Sequence, residues 1–137
     1  MFASIIASYL SIKNPHKIIS VLSRLKSANG RMQHVGSKKK SAVIVDYAHT
    51  PDALKKSLQT LASQFNKKVD VVFGCGGDRD KGKRYKMGKI ANQYASKIYL
   101  TTDNPRFENP LLILKQIKNG CKRCKVIVDR KKAIKIA

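Results

Sequence analysis

Six of the eight acidic residues in this 137-residue sequence lie in three short segments that also carry arginine, amide, glycine or proline residues. The segments are residues 46–52 (DYAHTPD), 74–84 (GCGGDRDKGKR) and 102–108 (TDNPRFE). Carboxylates accept hydrogen bonds from hydroxyl and ammonium groups, and an arginine fork donates to carboxylate or phosphate. Because the sequence holds 29 Lys and Arg against only 8 Asp and Glu, we expect the clustered acids to serve a binding site.

The segments alternate with patterns that predict strands and helices. Short runs rich in Val and Ile predict strands, and apolar residues at helical spacing predict helices between them. The predicted strands are residues 42–45, 69–73, 98–101 and 126–128. Two predicted helices span residues 87–95 and 110–117. Two more are predicted from their caps: one begins at Pro51 with Thr50 as N-cap, and the other follows Asp129. This order predicts an α/β, Rossmann-like fold with a mostly parallel sheet of about four strands and helices on both faces.

Each of the three segments follows a predicted strand. In open parallel sheets the ligand crevice lies at the carboxyl ends of the strands, so the segments are expected to meet at one edge. The alternative is that they are ordinary turns, since turns are rich in Gly, Asp and Pro. That explanation suffices for one loop, but three polar loops on the same edge favour a binding site.

The N-terminal part has a different pattern. Residues 2–12 and 15–26 carry apolar side chains at helical spacing, and residues 36–40 form a polar loop. We therefore predict that residues 1–36 are helical and belong to a different unit from residues 37–137. The helical patterns at both ends of the sequence run on without a cap, which predicts that the stretch is part of a longer protein.

The formal charge of +21 allows a second hypothesis, a basic nucleic-acid-binding domain on a Rossmann-like scaffold. The charge comes mostly from lysines spread from Lys13 to Lys135, there is no Trp, and the Phe and Tyr residues are scattered. Nucleic-acid readers favour arginine and stacked aromatic residues, so a lysine-rich surface without a dedicated function explains the charge better.

The cysteines and apolar runs exclude several classes of protein. Three cysteines make no disulfide framework, and no apolar run is long enough to cross a membrane, which predicts a soluble cytoplasmic protein. Cys121 and Cys124 form a CxxC pair. A zinc site needs a second pair of ligands, and a redox CxxC normally opens a helix, so we interpret the pair as a chance spacing.

Taken together, the motifs in residues 46–52, 74–84 (with Met87 and Gly88 after it) and 103–106 resemble the C-terminal domain of the Mur ligases. Within that family they are similar to the enzymes that add meso-diaminopimelate to UDP-N-acetylmuramoyl-L-alanyl-D-glutamate (UDP-MurNAc-L-Ala-D-Glu). Residues 30–32 (GRM) resemble the family's junction between domains. The resemblance implies that residues 1–36 are the helical tail of the central ATP-binding domain and residues 37–137 the C-terminal domain, truncated at its end.

The resemblance also implies an activity for the parent enzyme. Such ligases phosphorylate the D-glutamate side-chain carboxylate with ATP, and an amino group then attacks the acyl phosphate. ATP and Mg²⁺ are bound mainly by the central domain, through a loop of the form G-x-x-G-K-[ST] that this sequence lacks. We therefore expect no catalytic residue and no metal ligand here, and no phosphoryl transfer by this stretch alone.

Two groups of site residues follow from the resemblance. The residues that match the diaminopimelate pocket are Arg79, Asp103, Asn104, Pro105 and Arg106, and those that match the ATP side are Arg31, Asp46 and, most weakly, His49. The first group offers an acceptor for ammonium and two forks for carboxylate. His49 could equally order its own loop. A downstream segment containing Gly and Glu completes the pocket in the family and is absent here.

The implied partners are meso-diaminopimelate and, through the other domains, UDP-MurNAc-L-Ala-D-Glu, with no specific nucleic acid and no membrane. Two alternatives stay open besides the ligase: the basic nucleic-acid-binding domain and an inactive remnant of a ligase.

Overall fold

The computed structural model describes residues 28–38 and 41–137, and the chain divides into two compact units between Asp46 and Tyr47. The predicted helices at residues 2–12 and 15–26 lie outside the described residues. Among the residues described, no helix is both long and apolar enough to span a bilayer.

The first unit contains an antiparallel hairpin formed by β1 (Gln33–Lys38) and β2 (Ser41–Val45). The prediction of a strand at 42–45 is confirmed, but its assignment to the parallel sheet is wrong. Val43 and Val45 are 51% and 44% exposed, whereas a strand buried on both faces was expected. The cause is β1, which lies only a few residues away and pairs at little cost in loop closure. Residues 33–36 are accordingly strand and not helix, and the predicted polar loop at 36–40 begins as strand.

The second unit alternates helices and parallel strands. Its elements are α1 (Pro51–Phe65), β3 (Val71–Phe73), α2 (Gly82–Tyr94), β4 (Ile98–Leu100), α3 (Pro110–Lys118), β5 (Cys124–Val126) and α4 (Arg130–Ile136). The strands lie in the order β3-β4-β5, and both pairs are parallel, with Phe73 opposite Leu100 and Leu100 opposite Val126. The α/β class is confirmed, although this sheet has three strands in the described chain and not about four.

The helix starts follow local rules. Thr50 Oγ1 accepts from the Ala53 amide at 3.2 Å, and Asp129 Oδ1 accepts from the Lys132 amide at 2.8 Å, so both predicted caps are confirmed. Such caps contribute about 1 kcal/mol each. Helix α2 begins at Gly82, five residues before the predicted start, because Asp80 Oδ1 accepts from the Gly82 amide at 2.8 Å and so satisfies one of the first free N–H groups.

Strand β4 is the centre of the hydrophobic core. Its three residues are at most 4% exposed. Helix α1 contacts α2, α2 contacts α3, and α3 contacts β4. The core side chains are Leu54, Leu58, Phe73, Cys75, Met87, Ala91, Ala95, Ile98, Leu100, Ile113, Leu114, Ile117 and Cys121. This packing fixes the carboxyl ends of β3 and β4, where two polar loops begin.

Candidate functional site

Two loops leave the neighbouring strands β3 and β4 and contact each other along their backbones. We call residues 74–81 the glycine loop and residues 102–108 the DNPR loop. The Gly77 amide donates to the Asn104 carbonyl at 2.8 Å. A Cβ atom would lie 2.1 Å from the Thr101 oxygen if placed on Gly74 and 1.8 Å from the Pro105 oxygen if placed on Gly77. The contact between the loops therefore requires glycine at these positions.

Arg106 connects the DNPR loop to the glycine loop. It has a φ of +48°, in the left-handed region that few residues other than glycine adopt readily. Its amide donates to Asn104 Oδ1 at 3.2 Å, and its Nη1 donates to the Gly77 carbonyl. That bond uses one of the five N–H donors of a guanidinium, so the fork retains donors for a carboxylate ligand.

A second connection between the loops involves Asp78 and Glu108. The Asp78 amide donates to Glu108 Oε1 at 2.6 Å, and the Phe107 amide donates to Asp78 Oδ2 at 3.2 Å. Each loop thus supplies one carboxylate and one amide to the other. Both bonds lie next to an arginine on each loop, just before Arg79 and just after Arg106.

Beneath the loops lies a fully buried arginine, Arg84. Its Nη1 donates to Glu108 Oε2 and its Nη2 to Glu108 Oε1, both at 2.8 Å. Nη1 also donates to Gln116 Oε1 at 2.7 Å, and Nη2 donates to the Gly76 carbonyl at 3.1 Å. The hydrogen bonds from Arg84, followed by the one from Asp78, lower the pKa of Glu108 to about 2, and the same pairing raises the pKa of Arg84.

The sequence predicted no role for Arg84 or Glu108. In the sequence Glu108 stands out only as one of few acidic residues, and Arg84 only as the last residue of segment 74–84. A further residue that was missed is Arg130, whose Nη1 donates to the Thr102 carbonyl at 3.0 Å and lies 3.8 Å from Asp103 Oδ1. The signal for Arg130 was its position one residue after a predicted helix cap.

The residues predicted for diaminopimelate all lie on these two loops. Arg79 is exposed on the glycine loop, and Asp103, Asn104 and Arg106 are exposed on the DNPR loop, with Pro105 half-buried between them. The structure therefore brings both kinds of charge to one edge of the sheet. Their role in binding stays a prediction.

The residues predicted for ATP are divided between the two units. In the first unit Asp46 Oδ1 accepts from the Met32 amide at 3.1 Å, which brings the carboxylate next to the residue that follows Arg31. In the second unit His49 Nδ1 donates to the Tyr47 carbonyl at 3.1 Å, and the two rings meet edge to face with centroids 4.9 Å apart. Both contacts are with Tyr47, two residues away, so His49 orders its own loop.

In residues 28–38 and 41–137, no three His, Cys, Asp or Glu side chains are grouped as a metal site would need. The three thiols are free. Cys121 is buried, and Cys124 is half-buried, with its Sγ donating to the Cys121 carbonyl at 3.1 Å.

A parallel sheet whose neighbouring strand ends carry two interlocked polar loops is typical of α/β domains that bind a ligand at that edge. Residues 30–137 match the family described as "Mur ligase, glutamate ligase domain". Since this match covers most of the sequence, the chain belongs to the Mur ligase family.

Individual relatives agree with this assignment. The chain is 48% identical over 124 residues to the UDP-N-acetylmuramoyl-L-alanyl-D-glutamate--2,6-diaminopimelate ligase of Coxiella burnetii, covering 88% of the chain and 25% of that protein. It is 44% identical over 137 residues to the ligase of the same name from Buchnera aphidicola subsp. Baizongia pistaciae, covering 96% of the chain and 27% of the relative. The chain thus spans about a quarter of the length of these relatives.

Solved structures show the same fold. A structure of a UDP-N-acetylmuramoyl-L-alanyl-D-glutamate--2,6-diaminopimelate ligase, 39% identical, superposes with a TM-score of 0.69 over 98% of this chain and 28% of its own. Folylpolyglutamate synthase from Thermotoga maritima superposes with a TM-score of 0.68 over 90% of this chain and 29% of its own, at 22% identity. The second likeness concerns the fold alone.

Proposed function

We propose that this chain forms the amino-acid-binding part of an ATP-dependent ligase that adds meso-diaminopimelate to UDP-MurNAc-L-Ala-D-Glu. The observation that carries the proposal is the junction of the glycine loop with the DNPR loop through Gly77 and Asn104. This junction puts the arginines and the acceptor groups of both loops at one edge of the sheet. The relatives at 44–48% identity are named for this reaction, which supports the same substrate.

The chemistry of the substrate fits this edge. Meso-diaminopimelate carries two ammonium and two carboxylate groups, so its binding site needs acceptors and donors at a fixed separation. In our proposal Asp103 and Asn104 accept from an ammonium group, and Arg79 and Arg106 donate to a carboxylate. Lysine lacks the second carboxylate and would leave a guanidinium unpaired, which provides the basis for rejecting it.

The proposed reaction has two steps. ATP transfers its γ-phosphoryl group to the D-glutamate side-chain carboxylate and leaves as ADP. The free amine of diaminopimelate then attacks the carbonyl carbon, and the C–N bond forms while the nitrogen loses a proton to water. Phosphate leaves with the electron pair of the broken C–O bond. The role proposed for this chain is to orient the amine, because a held nucleophile reacts far faster than one in solution.

ATP and Mg²⁺ are proposed to be held mainly by the central domain of such a ligase. From this chain, Arg31 is proposed to donate to a phosphate or ribose oxygen and Asp46 to accept from a ribose hydroxyl. His49 is the weakest of the three proposals. UDP-MurNAc-L-Ala-D-Glu is proposed to bind through other domains, and the cytoplasmic location stays a prediction.

A domain replacement tests the proposal. Residues 30–137 of this chain replace the matching segment in the Coxiella burnetii ligase, and amide product and phosphate release are measured with meso-diaminopimelate and with L-lysine. We expect product with meso-diaminopimelate and little with L-lysine. The control is the unmodified ligase, and a cooperative thermal transition establishes that the hybrid is folded.

A folded hybrid that forms no product contradicts the proposal and supports the inactive remnant. A folded hybrid that uses lysine equally well contradicts the assigned substrate. The comparisons give no support to the nucleic-acid-binding alternative. Salt-resistant, sequence-selective DNA binding by the 137-residue chain would favour it nonetheless, because non-specific binding to phosphate disappears as salt rises.

A further inference from the structure

Glu108 is the point at which the two loops and the underlying helices are joined. Oε1 accepts from Arg84 Nη2 at 2.8 Å and from the Asp78 amide at 2.6 Å, and Oε2 accepts from Arg84 Nη1 at 2.8 Å. Lys81 Nζ lies 3.9 Å from Oε2 and is mostly exposed. Both carboxylate oxygens therefore accept hydrogen bonds from inside the protein.

Arg84 is equally committed to internal contacts. It is fully buried, and its two terminal nitrogens reach the DNPR loop through Glu108, the glycine loop through the Gly76 carbonyl, and α3 through Gln116. Burying a guanidinium is expensive unless it is paired and hydrogen-bonded. A lysine could supply the charge but not the planar fork that contacts three elements at once.

The bonds of this network fall next to the residues proposed to bind substrate. Asp78 precedes Arg79, and its carboxylate accepts from the Phe107 amide, which follows Arg106. Without Glu108 the Asp78 amide loses its acceptor, and both loops lose a connection beside their arginines. A substitution at Glu108 should thus disturb the positions of Arg79 and Arg106, while β4 and α3 stay packed.

We propose that Arg84 and Glu108 are positioning residues for the amino-acid substrate, holding the glycine loop against the DNPR loop so that Arg79 and Arg106 present their guanidinium groups at a fixed separation. Neither residue contacts the substrate. The inference rests on the proposed function for the identity of the ligand, meso-diaminopimelate. How well the two loops are ordered can be measured without any ligand.

The first measurement is amide hydrogen exchange by NMR on the ligand-free 137-residue chain. In Glu108→Gln an NH2 donor replaces one accepting oxygen and faces the Arg84 guanidinium, so the network is broken at Arg84. The amides of Asp78 and Phe107 should then exchange at least roughly tenfold faster, since their local opening becomes easier, while the Leu100 amide in β4 keeps its protection. The matched control is Asp70→Asn. Asp70 also accepts from a backbone amide, that of Lys97 at 3.1 Å, and also pairs with a lysine, but it precedes β3 at the opposite end of the sheet.

The second measurement is the Kd for meso-diaminopimelate of the domain-replacement ligase carrying the same substitutions. Arg84→Lys and Glu108→Gln should each raise the Kd by roughly 10- to 100-fold, the range for losing hydrogen bonds to a charged group. The double variant should lose little more than either single one, because both act through one network. Ile117→Val, a fully buried core change, measures how far a general loss of stability alone affects the Kd.

The outcomes separate the two hypotheses. If the domain-replacement ligase without further substitutions shows no saturable binding of meso-diaminopimelate, the proposed function is contradicted, and with it the substrate-positioning role. If it binds but Asp78 and Phe107 keep their protection in Glu108→Gln, the network does not order the loops. If protection falls while the Kd changes no more than in Ile117→Val, the network is structural, and the positioning role is overturned.

Discussion

The amide of Gly77 donates to the carbonyl of Asn104 at 2.8 Å, and at this point the glycine loop and the DNPR loop are in backbone contact. Contacts between side chains can adjust to a substitution by changing rotamer, but a contact between two backbones cannot. The geometry of the proposed site therefore depends first on glycines and only then on the charged residues that they allow to meet.

Gly77→Ala should destabilise the second unit by about 2 kcal/mol or more, because a Cβ atom would lie 1.8 Å from the Pro105 oxygen. The matched control is Gly82→Ala at the first position of α2, where the nearest atom is a side-chain oxygen of Asp80 at 3.2 Å. It should change stability by less than about 0.5 kcal/mol. Urea denaturation measures the stability of both variants. Equal midpoints would show that the two loops can separate at little cost in free energy.

Arg106→Gly in the domain-replacement ligase should lower kcat/KM for meso-diaminopimelate by about 30- to 150-fold, corresponding to about 2–3 kcal/mol for a charge-assisted contact. Glycine tolerates the φ of +48° at this position, so the variant removes the guanidinium without adding strain. Steady-state kinetics with both amino acids measure the effect. The control is Arg123→Ala, an exposed arginine that donates to the Asn92 carbonyl. A KM for ATP that moves more than the KM for meso-diaminopimelate would place Arg106 elsewhere in the reaction.

Glu108 should make the stability of the chain depend on pH in acid. Its pKa is lowered from 4.5 to about 2 by the hydrogen bonds from Arg84 and Asp78. The stabilisation from the ionised carboxylate is therefore complete above about pH 4.5 and is lost as the pH falls through about 2. Thermal unfolding of the wild type and Glu108→Gln should differ most above about pH 5, and the difference should shrink towards pH 2. If the difference in thermal stability between the two proteins stays constant from about pH 5 to pH 2, the charge of Glu108 is not what stabilises the wild type.

The thiols should differ in reactivity. Burial raises the pKa of Cys75 to about 11 and that of Cys121 to about 12, so neither is a thiolate near neutral pH. A disulfide reagent at about pH 8 should modify Cys124 first and the other two only on unfolding. Cys124→Ser should remove the early phase. Simultaneous reaction of all three thiols in the native protein would contradict the buried positions of Cys75 and Cys121.

Local features of the fold could be predicted from the sequence, and long-range ones could not. Thr50 and Asp129 were identified as caps because a cap depends on residues only three positions away. The strand at 42–45 was predicted from its β-branched residues, but its place in the parallel sheet was wrong, because pairing also depends on which other strand lies near it. The polar loops after β3 and β4 were predicted as a site from strand order alone.

The residues that hold the site together escaped prediction for the same reason. Arg84 and Glu108 are 24 positions apart, and no spacing rule connects an arginine in the first turn of a helix to a glutamate in a later loop. Gly76 and Gly77 predict a loop from the sequence alone. The structural reason for glycine at these positions is the contact with the DNPR loop, which depends on how β3 and β4 lie side by side. Sequence reasoning finds the residues at the site more readily than the residues that hold them there.

The sheet order β3-β4-β5 follows the order of the chain, and this has a consequence for how the protein is made. Every contact described between the glycine loop, the DNPR loop and Gln116 lies within residues 74–118. Chains emerge from the ribosome N-terminus first, and sequential βα units bring neighbouring strands together through short loops. We therefore expect Arg84 to meet Glu108 before β5 and α4 have emerged from the ribosome, with β5 then added to an edge of the sheet that already carries the interlocked loops.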